Sequence, residues 1–165
     1  MSYYKVLFFV LLLTSLHIKA DQEQVPASFR LTALDSGYDI SSTNFPTGPT
    51  VIQFWGSWCT GCKGTWRELE QTLQKHFDGN VNLLVVSIDP DKASASLRSK
   101  EFRQNSFTMG RILYDDGGKL HEALKVDSVP TILVLDEQLA VRTMLRGHPD
   151  AAMRKDLVAT INSIK

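Results

Sequence analysis

Cysteine is scarce in this sequence, and repeats, low-complexity tracts and a surplus of either charge are absent. The 165 residues include 18 basic and 18 acidic side chains, so the formal net charge is zero. A chain without a basic surplus gives no reason to expect a nucleic-acid partner. Hydrophobic residues make up 43% and charged residues 22%, which is ordinary for one globular domain with a real core.

Long apolar runs are also lacking, except near the N-terminus. Residues 6–16 are almost entirely apolar and are followed by Ile18-Lys19-Ala20. This run is shorter than the about 20 residues of an ordinary membrane span, and it predicts a secretory signal peptide cleaved after Ala20. Because Ile18 is bulkier than the small residue usual at that position, an uncleaved anchor over residues 6–18 is the alternative. We therefore predict an exported protein of the periplasm or cell envelope, with residues 1–20 as signal peptide and residues 21–165 as one domain.

The only two cysteines, Cys59 and Cys62, are separated by two residues. They follow an apolar segment, residues 50–55, and precede a segment with helical periodicity. One sulfur would lie near a helix N-terminus, where unpaired N–H groups and the helix dipole stabilise a thiolate. The other would lie about one turn further on, within reach of a mixed disulfide. A structural disulfide is the alternative in an exported protein, but so short a ring constrains the unfolded chain little.

Hydrophobic patterns predict strands and helices that alternate along the domain. The predicted strands are 29–34, 38–40, 50–55, 81–88, 111–114, 131–135 and 140–145. The predicted helices are 59–77, 93–105, 119–124 and a last one with Pro149 in its first turn. Apolar spacing in the first helix places Cys62 on the buried stripe and leaves Cys59 at the exposed tip. The order predicts an α/β domain whose mixed sheet is covered by helices and ends in an antiparallel hairpin.

The segment from Phe54 to Lys63, Phe-Trp-Gly-Ser-Trp-Cys-Thr-Gly-Cys-Lys, resembles the redox site of the thioredoxin superfamily. Over about residues 26–163 the chain is most similar to the exported TlpA/ResA-like thiol–disulfide oxidoreductases, which also share the Val129-Pro130-Thr131 segment. The resemblance implies a thioredoxin-like fold: a central mixed β-sheet flanked by helices, with an N-terminal strand pair and an insert after the second core strand. It also implies a cis Val129–Pro130 peptide beside the cysteines, whose backbone could pair with an extended substrate. The alternative is that Pro130 begins a strand in trans.

The resemblance further implies that Cys59 is the nucleophile and Cys62 the resolving thiol of a redox-active disulfide that needs no other cofactor. The residues expected to shape the substrate site are Trp58, Thr60, Gly61, Val129 and Pro130. Thioredoxin has a buried aspartate where Gln53 stands, and a glutamine can position a water or a thiol but cannot take a proton. Gln53 is therefore either a proton-relay candidate or a satisfied core amide. Lys63 either helps a thiolate or extends a solvated stem.

The predicted function is that of an exported enzyme that exchanges disulfides with protein substrates as a reductant, for example in cytochrome c maturation or envelope thiol reduction. That role implies a membrane electron donor. The alternatives are a disulfide-forming or isomerising oxidoreductase and a copper-binding assembly chaperone, although the two-residue spacing disfavours the latter. Residues 55–58 lack the proline and threonine of a peroxidatic site. The histidines His76, His121 and His148 show no ligand spacing, so no metal site is predicted, and a monomer is expected.

Overall fold

The computed structural model describes residues 24–35, 37–103 and 109–165. In these residues a seven-stranded sheet has the order β2-β1-β5-β4-β3-β6-β7. The strands are β1 (Arg30–Ala33), β2 (Ile40–Ser41), β3 (Thr50–Trp55), β4 (Asn82–Ser87), β5 (Arg111–Asp115), β6 (Thr131–Leu135) and β7 (Val141–Arg146). The helices are α1 (Cys62–Phe77), α2 (Lys92–Arg103), α3 (Lys119–Ala123) and α4 (Ala151–Ser163), with a 3-10 turn over Asp116–Gly118. The predicted α/β class is confirmed.

The sheet is mixed, as predicted. β3, β4 and β5 are parallel to one another, whereas β6 is antiparallel to β3 and β7 is antiparallel to β6. β1 and β2 form the predicted N-terminal strand pair, and β1 joins the sheet through β5. α2 and β5 follow β4, where an insert was predicted. Every residue of β3 and β6 is buried, because these central strands are covered on both faces.

Alternate residues of the central strands face two separate cores. Trp55 of β3 lies in the core that contains the apolar stripes of α1, α2 and α4. Ile52 and Phe54 lie in the other core, together with Leu120 of α3. Gln53 alternates with Ile52 and Phe54 and therefore points towards α1. The first core is thus the one that supports the cysteine pair.

The predicted start of the first helix was wrong. α1 begins at Cys62 rather than Cys59. The residues before it form a turn in which the Cys59 N–H donates to the Gly56 carbonyl at 2.9 Å. This local hydrogen bond takes Cys59 out of the helical ladder and leaves Gly61 at the N-cap. The two cysteines therefore lie in different secondary structure.

The start of the last helix was also wrong. α4 begins at Ala151, after Pro149. Asp150 is the N-cap, and its carboxylate accepts a hydrogen bond from the Met153 N–H at 2.8 Å, which is a favoured way to satisfy a helix terminus. Pro149 therefore precedes the cap.

Two predicted segments extend beyond the described residues. The predicted signal peptide, residues 1–20, lies outside them, and so do the last two residues of the predicted helix 93–105. Within residues 24–35, 37–103 and 109–165, every helix is too short or too polar to cross a bilayer.

Candidate active site at the ends of the central strands

Cys59 and Cys62 form a disulfide where β3 leads into α1, with their Cα atoms 5.5 Å apart. Cys62 is completely buried, as predicted. Cys59 is only 7% exposed, so the predicted exposed tip was wrong for this disulfide form. The turn closed by its N–H folds Cys59 back onto the core cluster that also contains Cys62. Cys59 is nevertheless the more accessible of the two sulfur-bearing residues.

The N-terminus of α1 has no polar cap. Gly61 contributes no side-chain hydrogen bond, and the first turn contains no acidic residue. The first N–H groups of α1 therefore keep the partial positive charge of a helix N-terminus. The Lys63 side chain is not freely solvated, because its Nζ donates to the Glu101 carbonyl in α2 at 3.2 Å. The backbone N–H groups at this helix end contribute a positive potential next to the cysteine turn.

The Val129–Pro130 loop precedes β6 and lies at the edge of the sheet where β3 ends. Phe54 pairs with Thr131 in the antiparallel ladder, so Pro130 lies where β3 ends and the cysteine turn begins. The Val129–Pro130 peptide is cis, as the resemblance implied. Val129 is half-buried and packs against the cluster that contains both cysteines. The loop therefore packs against the same core cluster as the disulfide.

Trp58, Thr60 and Gly61 form the exposed part of the cysteine turn. Trp58 is 56% exposed. Its indole ring covers Gly56, because a Cβ added to Gly56 would lie 2.6 Å from ring atoms Cη2 and Cζ2. Trp55, in contrast, is fully buried. Trp58 is thus a residue of the site's rim, whereas Trp55 belongs to the core.

Gln53 is fully buried beneath the start of α1. Its Nε2 donates to the Cys62 carbonyl oxygen at 2.8 Å. Its Oε1 is buried and has no hydrogen-bond partner among the described residues. One end of the Gln53 amide holds the backbone of Cys62, and the other end has no protein partner among the described residues.

Asp89 supports the cysteine turn and was not identified from the sequence. It follows β4 and is buried. Both carboxylate oxygens lie 3.1 Å from the Ser57 N–H nitrogen, and one also accepts from the Ser87 hydroxyl. Its position directly after a parallel strand adjacent to β3 was the available signal, because carboxyl ends of parallel strands meet at one edge of the sheet.

A chain of three side chains that starts at Thr65, three residues after Cys62 in α1, was also missed. Thr65 Oγ1 lies 2.9 Å from Nδ1 of His148, and Nε2 of His148 lies 3.2 Å from Oε1 of Glu68. His148 had been interpreted as an isolated histidine because its partners are distant in sequence. Among the described residues, no cluster of three or more His, Cys, Asp and Glu side chains is suited to hold a metal ion.

Comparison with known proteins finds similar chains. Residues 22–144 match the AhpC/TSA family. The sporulation thiol-disulfide oxidoreductase A of Bacillus subtilis (strain 168) is 27% identical over 135 residues, which cover 82% of this chain and 80% of that protein. The thiol-disulfide oxidoreductase ResA of Bacillus thuringiensis is 22% identical over 121 residues, 73% of this chain and 67% of that protein.

The solved structure of Mycobacterium tuberculosis DsbF has the same fold, with a TM-score of 0.66 at 23% identity over 86% of this chain and 99% of that one. The resemblance to ResA-like proteins that the cysteine block predicted is therefore confirmed. This chain belongs to the AhpC/TSA family, and its paired cysteines make it a thiol–disulfide oxidoreductase.

Proposed function

We propose that the protein is an exported thiol–disulfide oxidoreductase in which Cys59 is the nucleophile and Cys62 the resolving thiol. The asymmetry of the pair carries this proposal. Cys62 is fully buried as the first residue of α1, and its carbonyl is held by Gln53. Cys59 precedes the uncapped N-terminus of the same helix. A thiolate is therefore better stabilised at Cys59 than at Cys62.

The reaction passes through a mixed disulfide. The Cys59 thiolate attacks one sulfur of a substrate disulfide, and the other substrate sulfur leaves as a thiolate. Cys62 loses its proton and attacks Cys59, which restores the Cys59–Cys62 disulfide and releases the second substrate thiolate. Two electrons have then passed from the dithiol to the substrate. The contribution of Gln53 to proton removal stays a prediction.

The substrate segment would lie between the cis-proline loop and the rim of the cysteine turn. Val129 is half-buried and Pro130 begins the approach to β6, so an extended chain could pair with the Val129 backbone. On the facing side, Trp58, Thr60 and Gly61 are exposed. A protein segment that carries a disulfide suits this open rim.

We favour the reducing direction, with apocytochrome c or other envelope thiols as substrates, a membrane electron donor and a monomeric enzyme. Thr60 and Gly61 place no cationic side chain between the sulfurs, and Lys63 is engaged with α2. A cation there would stabilise the reduced form and make the pair a stronger oxidant. A measured reduction potential near about −270 mV supports a reductant, and one near about −120 mV supports the alternative, a disulfide-forming enzyme.

Trapping distinguishes the roles of the two sulfurs. Cys62→Ser should accumulate a covalent mixed disulfide with a disulfide-containing peptide, because Cys59 can attack but the product cannot be resolved. Cys59→Ser is the matched control and should trap little, since Cys62 is completely buried. Non-reducing electrophoresis and mass spectrometry measure the adduct. Equal trapping by both variants would reverse the assignment.

Two further assays separate the rival functions. The wild-type protein should accelerate the reduction of insulin by dithiothreitol, and no acceleration would contradict the oxidoreductase proposal. Copper titration of the reduced protein should show no tight stoichiometric binding, whereas such binding would favour the copper chaperone. For export, the N-terminal sequence of the protein secreted from its full gene should begin at Asp21, and retention of residues 6–18 would indicate the anchor.

A further inference from the structure

The side chains of Thr65, His148 and Glu68 have the order hydroxyl, imidazole, carboxylate. The Glu68 carboxylate that faces Nε2 can only accept a hydrogen bond, so Nε2 carries a proton and Nδ1 can accept from the Thr65 hydroxyl at 2.9 Å, which is closer than the other acceptor of that hydroxyl, the Gly61 carbonyl at 3.4 Å. Thr65 is fully buried, so its hydroxyl cannot attack a substrate. The His148 side chain is 54% exposed. The chain therefore connects solvent to the interior instead of activating a surface nucleophile.

The inner end of this chain lies on the helix face that carries the resolving cysteine. Thr65 follows Cys62 by three residues in α1, a spacing that places side chains on one face of a helix. Both residues are completely buried. Resolution requires Cys62 to lose a proton inside the protein, and the Gln53 amide cannot accept it. A buried hydroxyl that is already bonded to an imidazole can accept it.

We propose that Thr65 and His148 carry the proton away from Cys62 while the mixed disulfide is resolved, an inference that rests on the proposed function. The Thr65 oxygen takes the proton of the Cys62 thiol as the hydroxyl proton passes to Nδ1 of His148. The Cys62 sulfur bonds to the Cys59 sulfur, and the bond between Cys59 and the substrate sulfur breaks. The substrate leaves as a thiolate, and His148 returns its proton to solvent or to that thiolate. The electrons come from the dithiol, so no further reductant is needed.

Charged side chains of two helices meet next to His148. Nε2 of His148 lies 3.2 Å from Oε1 of Glu68 on α1, and Arg154 on α4 contacts the other oxygen of that carboxylate at 3.0 Å. Arg146 and Asp150 flank the turn, but Arg146 faces a carboxylate on another loop and Asp150 caps α4. The Glu68 carboxylate thus lies between the imidazole and the Arg154 guanidinium.

The same turn is joined to the substrate loop. The Gly147 N–H donates to the Pro130 carbonyl at 2.8 Å. A substrate segment bound along Val129 therefore lies one hydrogen bond away from the backbone that carries His148. This hydrogen bond links the proposed substrate loop to the residue next to His148.

The test compares the two halves of one turnover in variants of the relay. Thr65→Val removes the hydroxyl at nearly constant volume, and Thr65→Ser restores it. His148→Asn keeps a hydrogen-bond acceptor near the Nδ1 position but cannot take up a proton. His76→Asn is the matched control, since His76 is an exposed histidine of α1, the helix that carries Thr65. Thermal unfolding of each variant establishes that it is folded.

Reduced protein is mixed with excess dithiobis(nitrobenzoate), whose aromatic thiolate is coloured. The first thiolate released reports attack by Cys59, and the second reports resolution by Cys62. We expect Thr65→Val and His148→Asn to slow the second release about 100-fold and to leave the first within about twofold, as loss of a general base does. The second rate should then rise with pH through neutrality as hydroxide replaces the relay, whereas Thr65→Ser and His76→Asn should behave like the wild type.

Two results would overturn the relay. One is a second release with the wild-type rate and pH profile in both Thr65→Val and His148→Asn. The other is equal slowing of both releases, because the side chains would then act on the shape of the site and not on the proton of Cys62. Failure of the wild-type protein to release either thiolate would contradict the proposed function itself, which keeps the two failures distinct.

Discussion

Replacement of Gln53 with Met tests whether the protein retains a buried polar group that lowers its stability. In the wild type, the amide donates one hydrogen bond to the Cys62 carbonyl and leaves Oε1 buried without a partner in the described part of the chain. A hydrogen bond contributes about 1 kcal/mol net, whereas an unpaired buried acceptor costs about 1–3 kcal/mol. The Cys62 carbonyl also lies at the start of α1, where a helical N–H can still reach it.

Methionine is similar in length to glutamine and adapts to irregular core space. Loss of the one hydrogen bond and removal of the unpaired oxygen should leave the free energy of unfolding unchanged or raise it by up to about 2 kcal/mol. Urea denaturation of the oxidised protein measures this, since the disulfide is then the same in both forms. Thr131→Val is the matched control: this buried hydroxyl is satisfied by the Ser128 carbonyl at 2.7 Å. Its loss should lower stability by about 1 kcal/mol.

A decrease of more than about 2 kcal/mol in Gln53→Met, with the control as expected, would refute this reasoning. It would mean that Oε1 is satisfied by an ordered water and that Gln53 is held for stability. A neutral or stabilising result would instead agree with a polar group kept for the chemistry of Cys62, since functional sites are where proteins retain locally unfavourable features.

Substitution of alanine at Gly56 and at Gly64 distinguishes an effect on the substrate site from an effect on helix stability. Gly56→Ala would force the Trp58 ring to move, because the new Cβ would lie 2.6 Å from it. This variant should have a raised KM for a peptide disulfide. Gly64→Ala is the control, because the new Cβ meets open space within α1. It should raise the free energy of unfolding by about 0.5–1 kcal/mol without changing KM. An unchanged KM in Gly56→Ala would contradict the role of Trp58 at the rim of the site. Asp91 accepts from the Ser94 N–H and hydroxyl, which hold the pKa of Asp91 below its usual value. This stabilisation is present above the ordinary aspartate pKa of about 3.9 and is lost as pH falls through the lowered pKa. Asp91→Ala should therefore lower Tm at neutral pH more than in strong acid. An equal decrease of Tm at both pH values would contradict this prediction.

The sequence predicted those features that local pattern controls. Apolar spacing along the first helix placed Cys62 on the buried face, and a continuous apolar run identified β3 as a central strand. The strand pair, the insert and the cis peptide at Pro130 came from the resemblance, because spacing alone does not determine strand order or peptide isomer. The start of α1 was misplaced because the hydrogen bond from Cys59 to Gly56 competes with the helical ladder.

Long-range partners could not be predicted from a single sequence. Ser57 and Asp89 are 32 residues apart, and Thr65 and His148 are 83 residues apart. The residues adjacent to His148 in sequence do not distinguish it from a surface histidine. Its contact with Thr65 depends on the position of the turn after β7 next to α1. Such contacts become visible only when β3, β6 and β7 are placed side by side.

The supports of the cysteine pair come from the central strands and the residues that follow them, whereas the cysteines themselves lie in a turn and a first helical turn. Gln53 on β3 holds the Cys62 carbonyl, and Asp89 after β4 holds the Ser57 N–H. Neither support bonds to a sulfur, so the disulfide can open and close while the strands stay in place. The difference between the two thiols therefore belongs to the fold and not to the Cys-Thr-Gly-Cys segment alone. It follows that substitutions in the supports should change the rates of the two half-reactions separately, even when both cysteines are intact.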